Sequence, residues 1–275
     1  MRKLTAILAI FFVFTSFSTK KELTWVAIGD SITYLDAHPD EAGNRITKGY
    51  MAMVAEKLPN IHYINQGHNG WTTAGVAENI EKLNLEKADI YSILLGTNDW
   101  WHGGELGTIS DYTSDTGNKT MYGAYRTIIN KIRSLNPDAK IILMTPVQRG
   151  DFVYLKSFNN NAYGSYKDKN GHSLSEFADA VKAIAEKENF KLVDLFYKSR
   201  IKCKNAVKYK RLKNPQTGEY QNYTYPEYTT ILFNPATDEY PYPLDAMDMT
   251  YDGLHPSEKG MAVIAKMLVK VMKKY

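Results

Sequence analysis

The chain has almost no cysteine. Cys203 is its one thiol, so no disulfide can form within it and its stability must come from an apolar core. Lys202 and Lys204 flank that residue, and no motif of a thiol nucleophile surrounds it. Metal-ligand spacing is also missing: the histidines at 38, 62, 68, 102, 172 and 255 include no His-x-x-x-His pair, and no acidic cluster has ligand spacing. No metal is expected. There is no P-loop, no dinucleotide fingerprint and no Gly-x-Ser-x-Gly elbow, so no cofactor is expected either. Excess charge is small. The formal net charge of +4, less Arg2 and Lys3 of a removable leader, is +2, too weak to argue for a nucleic-acid partner. With 44% hydrophobic and 23% charged residues, disordered, collagen-like and polytopic membrane classes are excluded.

Long apolar runs are scarce too, and the exception is N-terminal. Arg2 and Lys3 precede an apolar stretch from Leu4 to Phe17, and Ser16 and Ser18 are small residues suited to the −3 and −1 positions of a cut. The run is shorter than the roughly 20 residues of a spanning helix, and Lys20-Lys21-Glu22 follow it. Residues 1–18 read as a signal peptide, giving a secreted or periplasmic protein with no stable membrane insertion after cleavage. Residues 19–275 form one domain.

Short β-branched or aromatic runs at Thr24–Ile28, Ile61–Ile64, Ile90–Leu95, Lys140–Met144 and Lys191–Phe196 have strand length. Helix-periodic stretches alternate with them at Lys48–Leu58, Thr73–Leu83, Met121–Leu135, Leu174–Glu188 and Ser257–Lys274. Such alternation implies right-handed crossovers and a three-layer α/β/α sandwich around a mostly parallel, flavodoxin-like five-stranded sheet. Ligands then bind outside the carboxyl ends of the strands.

Four segments fall at that rim. Gly29-Asp30-Ser31 leaves the first strand, where a serine is ordinarily a helix N-cap. Asn65 to Thr73 leaves the second and holds Gly67 and Gly70. Gly96-Thr97-Asn98-Asp99 leaves the third. Asp252-Gly253-Leu254-His255-Pro256 precedes the last helix, with Pro256 suited to a first helical turn. Each alone has a bland reading as a cap or turn. Together they supply a hydroxyl, backbone donors, an amide and an Asp/His pair, the parts needed for acyl transfer.

In these four blocks, and in their order, the chain resembles the SGNH hydrolases, the GDSL-type esterases and lipases. The resemblance covers Thr24 to the C-terminus apart from one long insertion. It implies Ser31 as nucleophile, His255 as its general base and Asp252 as the carboxylate orienting the imidazole. The backbone N–H groups of Ser31 and Gly70 and the side-chain amide of Asn98 would form the oxyanion hole. Gly70 is taken over Gly67 because its spacing from Asn65 follows the family pattern. Asp30 and Asp99 read as structural carboxylates that fix the loops.

The surroundings bear on substrate. Trp71, Trp100 and Trp101 directly follow the oxyanion blocks, and rigid amphipathic rings at a wet rim suit a sugar, although core packing is an open alternative. His68 and His102 stand beside the same loops, as substrate contacts or as ordinary rim residues. Tyr197–Tyr251 holds 9 of the 20 tyrosines and little helical periodicity, and reads as a lid or substrate loop. Residues 101–120 read as a further cleft wall. The expectation is an exported serine esterase releasing short acyl groups, acetyl above all, from a small-molecule or polysaccharide ester. The alternatives are a lysophospholipase or thioesterase for long acyl chains, and a non-catalytic carbohydrate-binding protein on the same scaffold.

Overall fold

The strands alternate in side-chain direction between two apolar layers. Val26 and Ile28 pack into one core with Tyr91, Ile93, Ile141 and Leu143, whereas Trp25 and Ala27 pack into the other with Ile90, Leu94, Ile142 and Met144. A sheet buried on both faces requires continuous apolar strands, as these are. A computed structural model describes residues 20–161 and 164–275, and the leader expected at 1–18 lies outside them. The strands are β1 (Leu23–Gly29), β2 (Ile61–Gly67), β3 (Ile90–Leu94), β4 (Lys140–Met144), a short hairpin of β5 (Phe152–Val153) and β6 (Asn160–Asn161), β7 (Lys191–Val193), and a second hairpin of β8 (Lys210–Lys213) and β9 (Tyr220–Tyr223). Five of them form one parallel sheet in the order β2-β1-β3-β4-β7. The flavodoxin-like expectation holds, and the winding reverses between β1 and β3.

The helices are α1 (Ser31–Tyr34), α2 (Tyr50–Lys57), α3 (Thr73–Glu78), α4 (Thr97–Trp101), α5 (Ile109–Thr113), α6 (Met121–Leu135), α7 (Leu174–Lys187), α8 (Leu195–Lys198) and α9 (Glu258–Met272). The buried residues of α3, α6 and α7 belong to the first core, and those of α2 and α9 to the second. Each fully buried Leu, Ile or Val contributes about 1.5–3 kcal/mol, enough in sum for a chain without disulfides. Among the described residues no helix is long and apolar enough to cross a membrane.

Several boundaries differ from the sequence reading. The last strand stops at Val193 because the Asp194 side chain accepts from Tyr197 N and starts α8. Thr97–Trp101 becomes helical, and α5 carries a fully buried tyrosine, Tyr112, whose hydroxyl donates to Glu188. Residues 103–120 are therefore packed against α6 and α7 and do not wall the cleft. Tyr197–Tyr251 is likewise ordered packing: β8, β9 and their flanks form a third apolar cluster in which Leu212, Tyr228 and Tyr242 meet Val153 of β5.

Candidate active site

β1 ends in Gly29, and the chain turns sharply into α1. The cap of that helix is Asp30, whose carboxylate accepts from Ile32 N at 3.0 Å, so the cap reading of Ser31 does not hold and its hydroxyl is free for other work. Ser31 Oγ lies 2.8 Å from His255 Nε2. The other ring nitrogen, Nδ1, lies 2.6 Å from Asp252 Oδ2, while Asp252 Oδ1 accepts from Leu254 N at 3.0 Å and His255 N at 2.7 Å. Both carboxylate oxygens are thus engaged, which fixes the rotamer that holds the imidazole. Two aromatic rings complete its setting. Tyr251 stacks on His255 with centroids 5.7 Å apart, and Phe152 meets it edge-on at 5.1 Å.

Gly253, between the Asp and the His, has φ +89, and a Cβ there would come within 1.8 Å of the Asp151 carbonyl oxygen. Glycine is required on both counts. The close approach lets Gly150 N donate to Gly253 O at 2.7 Å, tying the segment after β4 to the Asp/His turn.

The other two loops line the same cleft as Ser31. Gly70 has the left-handed φ of +72 and lines the cleft. Gly67 does not: it closes β2, where a Cβ would strike the Tyr34 backbone at 2.2 Å. The N–H groups of Ser31 and Gly70 donate to no described residue. Asn98 Nδ2 donates one hydrogen to Trp71 O at 3.0 Å, which turns its amide toward the same loop and leaves a second hydrogen for the cleft. Asp99 reinforces this register by accepting from Thr73 N and Thr73 Oγ1, all at 3.0 Å. Burial raises the carboxyl groups of Asp30 and Asp99 to about 6, against the pull of the N–H groups each accepts. Asp30 caps α1 and Asp99 ties its loop to the Gly70 loop through Thr73, the structural use expected of both carboxylates.

The cleft itself encloses about 530 Å³. Trp101 and His102 line it, but Trp71 and Trp100 do not. Trp100 is fully buried in the first core and donates its indole N–H to His172 O at 3.1 Å. Trp71 packs against that core and stacks on His68, with centroids 4.3 Å apart. Their helix and turn direct them inward, so of the three tryptophans expected at the rim one is there. The Tyr-rich 197–251 segment reaches the cleft through Tyr251 alone.

A model of the GDSL-like lipase/acylhydrolase family matches residues 27–263, which span all four blocks. The chain belongs to this family. It is accordingly a carboxylic ester hydrolase. A protein described as a possible lipase from Chitinophaga pinensis DSM 2588 is 57% identical, with a TM-score of 0.91 over 92% of this chain and 98% of that one. The fold is shared with the acetyl xylan esterase AlAXEase (17% identity, TM-score 0.53, 90% and 98% covered). It is shared also with an acetylxylan esterase from Geobacillus stearothermophilus (21% identity, TM-score 0.51, 92% and 94% covered). No curated protein matches the sequence.

The family blocks do not cover the far wall of the cleft. Arg149, Phe152, Tyr154, Leu155 and Asn160 contribute it, with Leu35 and Glu41 at the α1 side. A signal for the first group existed: the rule that directs attention to the loops after β1, β2 and β3 applies equally to the loop after β4. No comparable signal marks Leu35 or Glu41. Among the described residues no group of three or more His, Cys, Asp or Glu could hold a metal ion. Cys203 packs against Ser165 Oγ, and burial pushes its thiol up, away from nucleophilic use.

Proposed function

We propose that the chain is an exported serine esterase that releases short acyl groups, acetyl in the first instance, from carbohydrate esters. The observation that carries the mechanism is the unbroken line Ser31 Oγ, His255, Asp252, with Gly70 and Asn98 lining the same cleft. Ser31 attacks the ester carbonyl carbon as His255 Nε2 takes its proton, and Asp252 stabilises the imidazolium. The oxygen of the tetrahedral intermediate is met by Ser31 N–H, Gly70 N–H and Asn98 Nδ2–H. His255 returns the proton to the leaving alkoxide, and the acyl group stays on Ser31 until water, deprotonated by the same imidazole, displaces it. A purely carbohydrate-binding role would leave this line without a use.

The carbohydrate assignment is supported by the mixture of rings and polar groups around the nucleophile: Trp101, Phe152 and Tyr154 beside Glu41, Asn69 and Asn160. One observation favours a second reading. Leu35, Leu155 and Leu254 give the cleft aliphatic surface, and its volume exceeds the needs of an acetyl group, so a longer acyl chain would also find contacts.

Initial rates on p-nitrophenyl esters from acetyl to palmitoyl, measured beside Ser31→Ala, separate these readings. A serine-dependent rate that collapses beyond butyryl supports the small-acyl esterase. A rate rising with chain length supports the lysophospholipase or thioesterase, and full activity in Ser31→Ala removes the serine mechanism altogether.

A further inference from the structure

Arg149 stands on the segment leaving β4 and lines the cleft, yet its side chain is fully buried. A guanidinium taken out of water needs compensation from an anion or from acceptors at all its donors. Here the compensation is incomplete. Nε donates to Gly150 O at 3.1 Å, and Cζ lies 5.5 and 5.8 Å from the ring centres of Trp100 and Trp101. Buried Nη2 has no hydrogen-bond partner among the described residues.

The two carboxylates that act on Arg149 make no hydrogen bond to it among the described residues. Asp151 binds Lys210 Nζ through Oδ2 at 2.7 Å and leaves Oδ1 without a hydrogen-bond partner, and Asp252 is held by His255 and two backbone N–H groups. Glu41, the carboxylate on the α1 side, accepts from Tyr34 Oη at 2.8 Å and Asn69 Nδ2 at 2.9 Å. Lys169 Nζ lies 4.0 Å from the Trp101 ring centre, near enough to Arg149 for the two cations to oppose one another. Burial draws the Arg149 guanidinium down to about 10, so it remains a cation at neutral pH. Arg149 is the one Lys or Arg among the described residues that line the cleft.

We propose that the ester accepted here carries a carboxylate that becomes the partner of Arg149 Nη2, with the small side-chain shift that a nitrogen without accessible surface requires, while the ester carbonyl lies against Ser31. The inference rests on the cleft being the ester site proposed above, and it narrows the substrate class. A single unpartnered nitrogen suits one carboxylate oxygen, whereas a phosphate dianion would call for more donors than the wall presents.

Two substrate pairs test it on the full chain. One is methyl 3-O-acetyl-glucosiduronate against its uncharged methyl uronate, with the anion on the alcohol side. The other is p-nitrophenyl hemisuccinate against p-nitrophenyl methyl succinate, with the anion on the acyl side. In one pair the acid should be favoured by about tenfold or more in kcat/KM, mainly through KM, as expected for a hydrogen bond to a charged partner. Arg149→Gln should bring that ratio to about one, and Arg149→Lys should keep part of it. No preference for the acid in either pair, or a preference that survives Arg149→Gln, overturns the proposal. If the Gln variant does not fold, the wild-type ratios still test the acid preference, and a ratio left unchanged in Arg149→Lys overturns its assignment to Arg149. Hydrolysis of p-nitrophenyl acetate that is lost in Ser31→Ala, without acid preference, would sink the carboxylate alone. Absence of that hydrolysis would sink the ester site, and the carboxylate with it.

Discussion

The two walls of the cleft are built differently. On one side every group is within a few residues of a buried parallel strand: Ser31 after β1, Gly70 after β2, Asn98 after β3. Asp99 and Asn98 clamp two of those loops to each other. On the other side the hairpin β5–β6 stands away from the main sheet and is held by side chains far along the chain. Tyr242 and Tyr240 donate to the Asp151 and Val153 carbonyls, the latter at 3.2 Å, and Asn160 Nδ2 donates to Phe233 O at 3.2 Å. Chemistry that tolerates little displacement sits on the sheet, and the wall proposed to select substrate takes its rigidity from packing.

If that division is right, breaking the sheet-borne wall or the Asp/His turn should destroy turnover. Asp252→Asn is expected to be the most severe. An amide cannot accept from both backbone N–H groups and from the imidazole without presenting an NH2 to one of them, so the ring loses its tautomer or its orientation. The fall in kcat should be about 10⁴-fold, with the fold intact by circular dichroism. Asn98→Ala removes one side-chain donor while Ser31 and Gly70 N–H remain. It should lower kcat by roughly 10²–10³-fold with little change in KM. Loss appearing in KM instead would place Asn98 in ground-state binding and not in the oxyanion hole.

The same division explains what could be read from the sequence. Parallel strands buried on both faces are written as unbroken β-branched runs, and the turns that follow them carry short motifs, so the sheet and the Ser31, Gly70, Asn98, Asp252 and His255 positions were legible. Trp100 and Trp71 were not, because adjacency in sequence does not say on which side of a five-residue helix, or of the turn before α3, a ring emerges. Trp100 faces the core, and its neighbour Trp101 faces the cleft. Arg149 and Phe152 were missed for a different reason. Phe152 lies on a two-residue strand and Arg149 on the segment that leads into it, and the position of this stretch is set by contacts 73 to 91 residues further on, which no local pattern encodes. The tyrosine-rich segment reads as a substrate surface, whereas four of its nine rings, Tyr223, Tyr228, Tyr240 and Tyr242, pack in the apolar cluster behind this hairpin.

Tyr242→Phe probes that support. It leaves the fully buried ring in place and removes the hydrogen bond to Asp151 O, stranding a carbonyl at a cost of about 1–3 kcal/mol. The midpoint of thermal unfolding should fall by about 3–8 °C. KM should rise several-fold as Phe152 and Arg149 lose their register, with kcat within about twofold of wild type. A drop in kcat comparable to that of Asn98→Ala would mean that the hairpin also holds the Asp/His turn, through the Gly150–Gly253 contact, more strongly than the division allows.

The smallest effect concerns how the sheet-borne wall responds to pH. Asp99 is fully buried and its carboxyl group is raised to about 6, with burial the leading cause. In the unfolded chain it would titrate near 3.8. Between those values the folded protein binds more protons than the unfolded one, so this group's contribution to stability is greatest in acid and is lost as pH rises through about 6. Asp30, raised for the same reason, acts in the same direction. Asp99→Asn removes one of the two titrations and keeps an oxygen to accept from Thr73. The unfolding midpoint of the wild type, measured relative to the variant, should therefore be higher at pH 5 than at pH 7, by about 2–4 °C for each kcal/mol of linkage. An equal difference at both pH values would mean that Asp99 is ionised throughout and that its three contacts to Thr73 outweigh its burial. The clamp between the Gly70 and Asn98 loops would then be an ionic one, insensitive to pH across the neutral range.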